Sequence, residues 1–210
     1  MRNINKEPRS TFLMNKISNL PYFSLLSLKG FGISDEYLRI VFSRREKKGE
    51  ITRLRNGLYA TKYGLDNPNF PEFASTIMVT PSYLSVEYVL GEHGVVSENV
   101  ASYTLVTTKK TATIENKIGR FLYHNIKDSL FLGFRVVDNT HYSFCKATKA
   151  KALFDYLYFR KNYLFNKDTV LELRLNLEGF TTKEKAEFNK YVLLEGSKKM
   201  SFIAEMLWKS

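Results

Sequence analysis

Cysteine is almost absent from this 210-residue chain: Cys145 is the only one, so no intramolecular disulfide and no cysteine-based zinc site can form. Histidine is nearly as scarce. His93, His124 and His141 stand at no metal-ligand spacing, and no metal site is expected. No uninterrupted apolar run approaches the roughly 18–20 residues needed to cross a bilayer. The N-terminal stretch MRNINKEPRST is charged and lacks the apolar core of a signal peptide. A glycine-rich phosphate loop, a nucleophile elbow and paired catalytic carboxylates are all missing. Internal repeats and low-complexity tracts are missing too. These absences point away from a membrane, a cofactor and an enzyme, and toward a reduced cytoplasmic protein.

What the chain does have is positive charge, unevenly placed. The formal net charge is +11, and residues 1–62 hold 13 Lys/Arg against 5 Asp/Glu. That leaves the first third at +8 and the remaining residues at only +3. Concentrated basicity is the electrostatic footprint of a nucleic-acid binder. The length and the 44% hydrophobic content suffice for one sizeable core or two small ones.

Local signals divide the basic segment into three helices and a hairpin. Thr11–Leu20 reads as a helix ended by Pro21, and Phe23–Leu28 as a short second helix closed by Gly30 and Gly32. Ser34 is a good N-cap for a third helix, Ser34–Lys48, with Asp35 and Glu36 in its first turn and Gly49 as its stop. Leu38, Val41 and Phe42 share its inward face. Arg39, Ser43 and Lys47 recur on the opposite face, with Ile40 and Arg44 beside them. Arg45 falls on the apolar face, which points either to a side chain snorkelling at the helix end or to a helix one turn shorter.

GEITRLRNGLYA (49–60) then reads as a β-hairpin. Asn56-Gly57 is the favoured dipeptide for a two-residue type I′ turn, a register that pairs Leu54 with Tyr59 and turns Arg53 and Arg55 to the other face. A basic helix followed at once by a hairpin with an arginine tip is the arrangement of a winged helix-turn-helix. Its DNA contacts are expected from Arg39, Ser43, Arg44 and Lys47 on the helix, and from Arg53, Arg55 and Asn56 on the wing. The bland alternative is a solvated basic face. Seven Lys/Arg within residues 39–55 favour DNA.

Tyr63–Pro71, rich in Gly, Asn, Asp and Pro, reads as a linker to a second domain, residues 72–210. There Phe73–Val79 and Ser85–Glu92 suggest helices, with a turn at Pro81–Tyr83. Tyr103–Thr107, Ala112–Glu115, Arg120–Asn125, Leu130–Val137 and Tyr142–Ala147 read as strands of a mostly antiparallel sheet. Helices return at Thr148–Lys161, at the capping box Thr181-x-x-Glu184 through Leu194, and at the stripe Met200, Ile203, Ala204, Leu207 and Trp208. The expected class is therefore α+β. Asp155, inside KALFDYLYF, is expected to be a structural carboxylate paired with a nearby Lys, Tyr or backbone N–H. The aromatic stripe Phe154, Tyr156, Tyr158, Phe159 and Tyr163 fits either a helix seam or a protein-contact surface.

Three segments together resemble the AbiEi family of abortive-infection antitoxins, also described as transcriptional regulators of viral defence systems. FSRREKKGEITRLRNGLYA (42–60) is similar to that family's recognition-helix end and wing. PSYLSVEYVLGEHGVVSENV (81–100) is similar to its proline-tyrosine-serine helix motif, and KATKAKALFDYLY (146–158) to its lysine-alanine-leucine helix. Arg45, where an apolar residue is usual, and Lys149-Ala150, where a proline-glutamate pair is usual, depart from the pattern. The resemblance implies an antitoxin that represses its own operon by binding inverted repeats in its promoter. It also implies that the C-terminal domain opposes a nucleotidyltransferase-like toxin, with or without a direct complex, in phage defence. It transfers no catalytic residue. The alternative is a stand-alone winged-helix regulator whose second domain senses a ligand or dimerises.

Overall fold

Apolar residues three and four apart near the N-terminus form helix α1 (Arg9–Ile17), which buries Leu13 and Ile17. The computed structural model describes residues 9–97, 101–139 and 142–208. Its chain separates into two units, one running to Ala74 with Asn116–Ile118, the other comprising Ser75–Glu115 and the residues from Gly119 onward.

In the first unit α1 is followed by β1 (Tyr22–Ser24), a 3-10 helix at Leu26–Phe31, α2 (Asp35–Lys47), β2 (Ile51–Arg55), β3 (Leu58–Thr61), α3 (Lys62–Leu65) and the start of α4 (Phe70–Met78). The strands form one sheet in the order β1-β3-β2. Its core gathers Leu13, Ile17, Phe23, Leu28, Leu38, Val41, Phe42, Ile51 and Tyr59. Phe23 packs 4.8 Å from Phe42 and stacks 5.4 Å from Tyr59, centroid to centroid, so strand, helix and hairpin meet on one aromatic cluster.

Three expectations change here. The short helix expected at Phe23–Leu28 is instead β1 followed by the 3-10 helix. Tyr22, Phe23 and Ser24 pair antiparallel with Ala60, Tyr59 and Leu58, because the free edge of β3 satisfies more backbone groups than one turn of helix would. Leu54 does not pair with Tyr59. Arg53 does, and Arg55 faces Leu58, with a bulge between the two arginines. The reason is the turn: Gly57 has φ +75° while Asn56 stays at negative φ, so the type I′ geometry is not adopted and the bulge absorbs the offset. The segment expected as a linker, 63–71, carries α3 and the start of α4. The Thr61 hydroxyl accepts from Gly64 N–H at 3.3 Å and donates to the Leu20 carbonyl. Gly64 lies so close to Pro21 that an added Cβ would sit 2.2 Å from the Pro21 carbonyl oxygen.

The second unit continues through β4 (Ser82–Leu84), α5 (Val86–Glu92), β5 (Tyr103–Thr107), β6 (Ala112–Asn116), β7 (Gly119–Asn125), a 3-10 turn at Asp128–Leu130, β8 (Phe134–Asp138), β9 (Ser143–Ala147), α6 (Lys149–Arg160), α7 (Lys167–Leu171), α8 (Thr182–Glu195) and α9 (Lys198–Trp208). Six strands form a sheet in the order β6-β7-β5-β4-β9-β8. The pair β8–β9 is antiparallel, as expected, and so is β4–β5, but β4–β9 and β5–β7 are parallel. The β4–β9 pair arises because β4, expected as a turn, is a strand buried at all three residues and recruits a neighbour from far along the chain. The capping box at Thr181 and Glu184 opens α8 as expected. The class is α+β. Among the described residues no helix is long and apolar enough to cross a membrane.

Candidate functional site

Ser34 fixes where α2 begins. Its side-chain oxygen accepts from Tyr37 N–H at 3.3 Å, and Asp35 and Glu36 occupy the first turn while Arg44, Arg45 and Lys47 occupy the last, both complementing the helix dipole. Burying Leu38, Val41 and Phe42 leaves the other face of a 3.6-residue repeat in solvent. Arg39, Ile40, Ser43, Arg44 and Lys47 are all exposed. Arg53, Arg55 and Asn56 on the adjoining hairpin are exposed as well. All seven expected contact residues are therefore accessible.

Their partners, or lack of them, matter more than exposure. Among the described residues, the ion pairs of this unit include Lys29–Asp35 at 3.1 Å and Arg45–Glu50 at 2.6 Å. Arg39, Arg44, Lys47, Arg53 and Arg55 enter no ion pair. Arg53 donates from Nη2 to Asn56 Oδ1 at 3.0 Å, which orders the hairpin tip without cancelling its charge. Arg45, on the inward side of α2, is neutralised by Glu50 rather than snorkelling freely. Helix and hairpin cations share one neighbourhood. Burial pushes the Tyr59 hydroxyl above its ordinary range; the charges of Arg53 and Arg39 pull against this, while that of Glu46 adds to it. Like charges on adjoining elements, none of them in an ion pair among the described residues, repel one another, and a polyanion placed against them relieves that repulsion.

The second unit holds a different polar constellation, which sequence reasoning found only at Asp155. Tyr83 and Ser85, from the PSYLS segment, and Lys151 and Asp155, from α6, are each fully buried. Lys151 Nζ donates to Asp155 Oδ1 at 2.5 Å, while Ser85 Oγ and Tyr83 Oη donate to Oδ2 at 2.8 and 3.0 Å. Burial drives Asp155 up and Lys151 down, each toward its neutral form, and their mutual attraction opposes both shifts. The Lys151 ammonium also lies 4.7 Å from the Phe154 ring centroid and 5.5 Å from that of Tyr191. This is the structural pairing expected for Asp155, with Ser85 as an added donor. Ser85 is held further by its N–H to Thr104 O at 3.0 Å and by Thr104 Oγ1 donating to its carbonyl at 2.7 Å. Those bonds fix the backbone beside Val86, which sits at φ +56°, a conformation costly for a β-branched side chain unless its surroundings enforce it.

The histidines stay apart: His93 follows α5, His124 lies on β7, and His141 is outside the described residues. The aromatic stripe divides. Phe154 and Tyr156 are buried, Tyr158 and Phe159 are partly buried, and Tyr163 is 76% exposed. No protein-family model matches the chain, and no curated protein matches it.

Proposed function

We propose that residues 1–62 are a winged helix-turn-helix that binds double-stranded DNA, and that the chain is a DNA-binding antitoxin acting on its own promoter. Supporting the first part is the element order: a helix, a strand, a short helical turn, a capped helix and a hairpin, with the first strand closing the hairpin in the order β1-β3-β2. In that arrangement α2 is the recognition helix and the β2–β3 hairpin is the wing. The observation that carries the reading is the unpaired, exposed set Arg39, Arg44, Lys47, Arg53 and Arg55. The antitoxin role, opposing a nucleotidyltransferase-like toxin, rests on the AbiEi resemblance.

Two measurements test the two parts separately. Fluorescence anisotropy on DNA from upstream of the gene should give a salt slope of log K against log salt of roughly −4 to −5, for about five phosphate contacts. A slope near zero overturns the DNA reading. Co-expression with the product of the neighbouring gene should rescue growth. DNA binding without rescue leaves the second reading, a stand-alone regulator.

A further inference from the structure

The tip of the β2–β3 hairpin is braced from behind. Leu54 and Leu58 are 1% and 7% exposed, and the Gly57 carbonyl accepts from Leu25 N–H at 2.9 Å, which ties the turn to the segment after β1. Burying Leu54 turns its neighbours Arg53 and Arg55 outward, and Asn56 at the turn is exposed with them. The two arginines are not equivalent. Arg53 donates from Nη2 to Asn56 Oδ1 at 3.0 Å, which restricts the direction of its guanidinium. Arg55 makes no such side-chain bond among the described residues. Residues 51–58 include no Asp or Glu and Thr52 is buried, so the exposed side-chain acceptor of the tip is Asn56 Oδ1, and Arg53 occupies it.

What the pair then offers a ligand is donors alone: the remaining guanidinium N–H groups of Arg53 and the amide hydrogens of Asn56. A phosphate carries no sequence information, and a free cation such as Arg55 suffices to meet it. A donor pair held in one direction fits a surface whose acceptors are also fixed. The minor groove is such a surface. Each A·T pair presents only adenine N3 and thymine O2 there, whereas G·C adds the guanine N2 amino group, a donor. Donor set against donor leaves both unsatisfied. A·T tracts also narrow the minor groove and deepen its negative potential, which favours an inserted guanidinium. The hairpin follows α2 after Lys48–Glu50, so with α2 in the major groove its tip meets the flanking DNA, where a minor groove lies across one phosphate ridge.

We propose that Arg53 determines specificity at the DNA site, selecting A·T over G·C pairs from the minor groove, and that Asn56 is its positioning residue. The proposal rests on the DNA reading, and its test separates the two. Full-length protein is titrated by fluorescence anisotropy against three forms of the DNA upstream of the gene: unmodified, with 2,6-diaminopurine for adenine, and with inosine for guanine. The first replacement adds a minor-groove amino group to every A·T pair and the second removes it from every G·C pair, while both keep the major-groove pattern that α2 would read. Wild type should bind the diaminopurine DNA about tenfold or more weakly, and the inosine DNA at least as tightly as the unmodified DNA. Arg53→Ala and Asn56→Ala should each lose most of the diaminopurine penalty. Arg55→Ala should weaken all three DNAs together and keep it. If unmodified DNA is not bound, the DNA reading falls and this proposal with it. If it is bound and diaminopurine costs nothing, only this proposal falls. It is also overturned if a folded Arg53→Ala or Asn56→Ala keeps the full penalty, or if Arg55→Ala abolishes it.

Discussion

Among the described residues both units leave some cations exposed without an ion pair, but in the second these are spread over separate elements, as at Lys109, Lys127 and Lys190, whereas in the first they gather on α2 and the hairpin. In the second, Lys146 pairs with Glu92, Lys149 with Glu184, Lys151 with Asp155, Arg160 with Glu87 and Lys161 with Glu195. In the first, five cations on one helix face and one hairpin enter no ion pair among the described residues, while the inward Arg45 has Glu50. Cations with partners tie elements of their own domain together. Cations grouped without partners add repulsion to the folded state, and on the proposed reading that cost is offset when DNA binds. On that contrast, substitutions in the second unit should register as stability and those on α2 and the hairpin as binding.

The largest effect should come from the fully buried pair. Asp155→Ala leaves Lys151 without its counter-charge, and Tyr83 and Ser85 without their acceptor. The expected loss is about 3–5 kcal/mol, read from urea unfolding followed by circular dichroism. Replacing Lys151 and Asp155 together by Met and Leu should cost less than Asp155→Ala alone, because no buried charge is then stranded. A single substitution costing under about 1 kcal/mol would mean that the site is wetter than its burial indicates.

Arg44→Ala and Arg55→Ala should show the reverse profile. Both side chains are exposed and unpaired, so each variant should unfold within about 0.5 kcal/mol of wild type. Each should nonetheless weaken promoter binding by about 1–3 kcal/mol in anisotropy titrations, and a lost phosphate contact should shallow the salt slope by about one. If both variants bind DNA as wild type does, the contact surface lies on another face.

How much of this was legible in the sequence follows the reach of each interaction. The Ser34 cap, the Thr181–Glu184 capping box and most strands of the second unit rest on neighbours a few residues apart, and local pattern placed them closely. The outward face of α2 was legible for the same reason, since the 3.6-residue repeat assigns Arg39, Ser43 and Lys47 one side. What depended on distant partners was not. Tyr22–Ser24 is a strand only because β3 offers an edge some thirty-five residues later, and Ser82–Leu84 only because β5 and β9 flank it. The Leu54 register failed on a single dihedral, since Asn56-Gly57 permits positive φ at both positions but does not compel it. Asp155 was foreseeable as a paired carboxylate. Its partners Tyr83 and Ser85, some seventy residues away, were hidden once β4 read as a turn.

Arg45 sharpens the contrast within one helix. It is a cation of α2 like Arg44, but its guanidinium is spent on Glu50 at 2.6 Å, and Glu50 N–H also donates to the Arg45 carbonyl at 3.0 Å. Arg45→Ala should therefore cost stability rather than affinity. Both partners are partly exposed, so solvent screening keeps the loss to about 0.5–1 kcal/mol, with promoter affinity close to wild type once the protein is folded. An Arg45→Ala variant as weak on DNA as Arg44→Ala would erase the distinction between paired and unpaired cations on α2.

The smallest effect concerns protons. Burial depresses the pKa of His124 below the ordinary 6.5, with the Arg160 charge reinforcing the shift against Glu87. The unfolded chain therefore binds a proton at this residue more readily than the folded one. By linkage, stability rises with pH across that interval. The contribution of His124 is intact above about pH 6.5 and is lost as pH falls from there through the lower, folded pKa. Urea midpoints of the wild type should drop between neutral pH and mildly acidic conditions, by more than those of His124→Gln, which has nothing to protonate there. The difference between the two drops isolates His124 from the remaining titrating groups. Should the variant lose as much as the wild type, His124 is freely protonated in the fold.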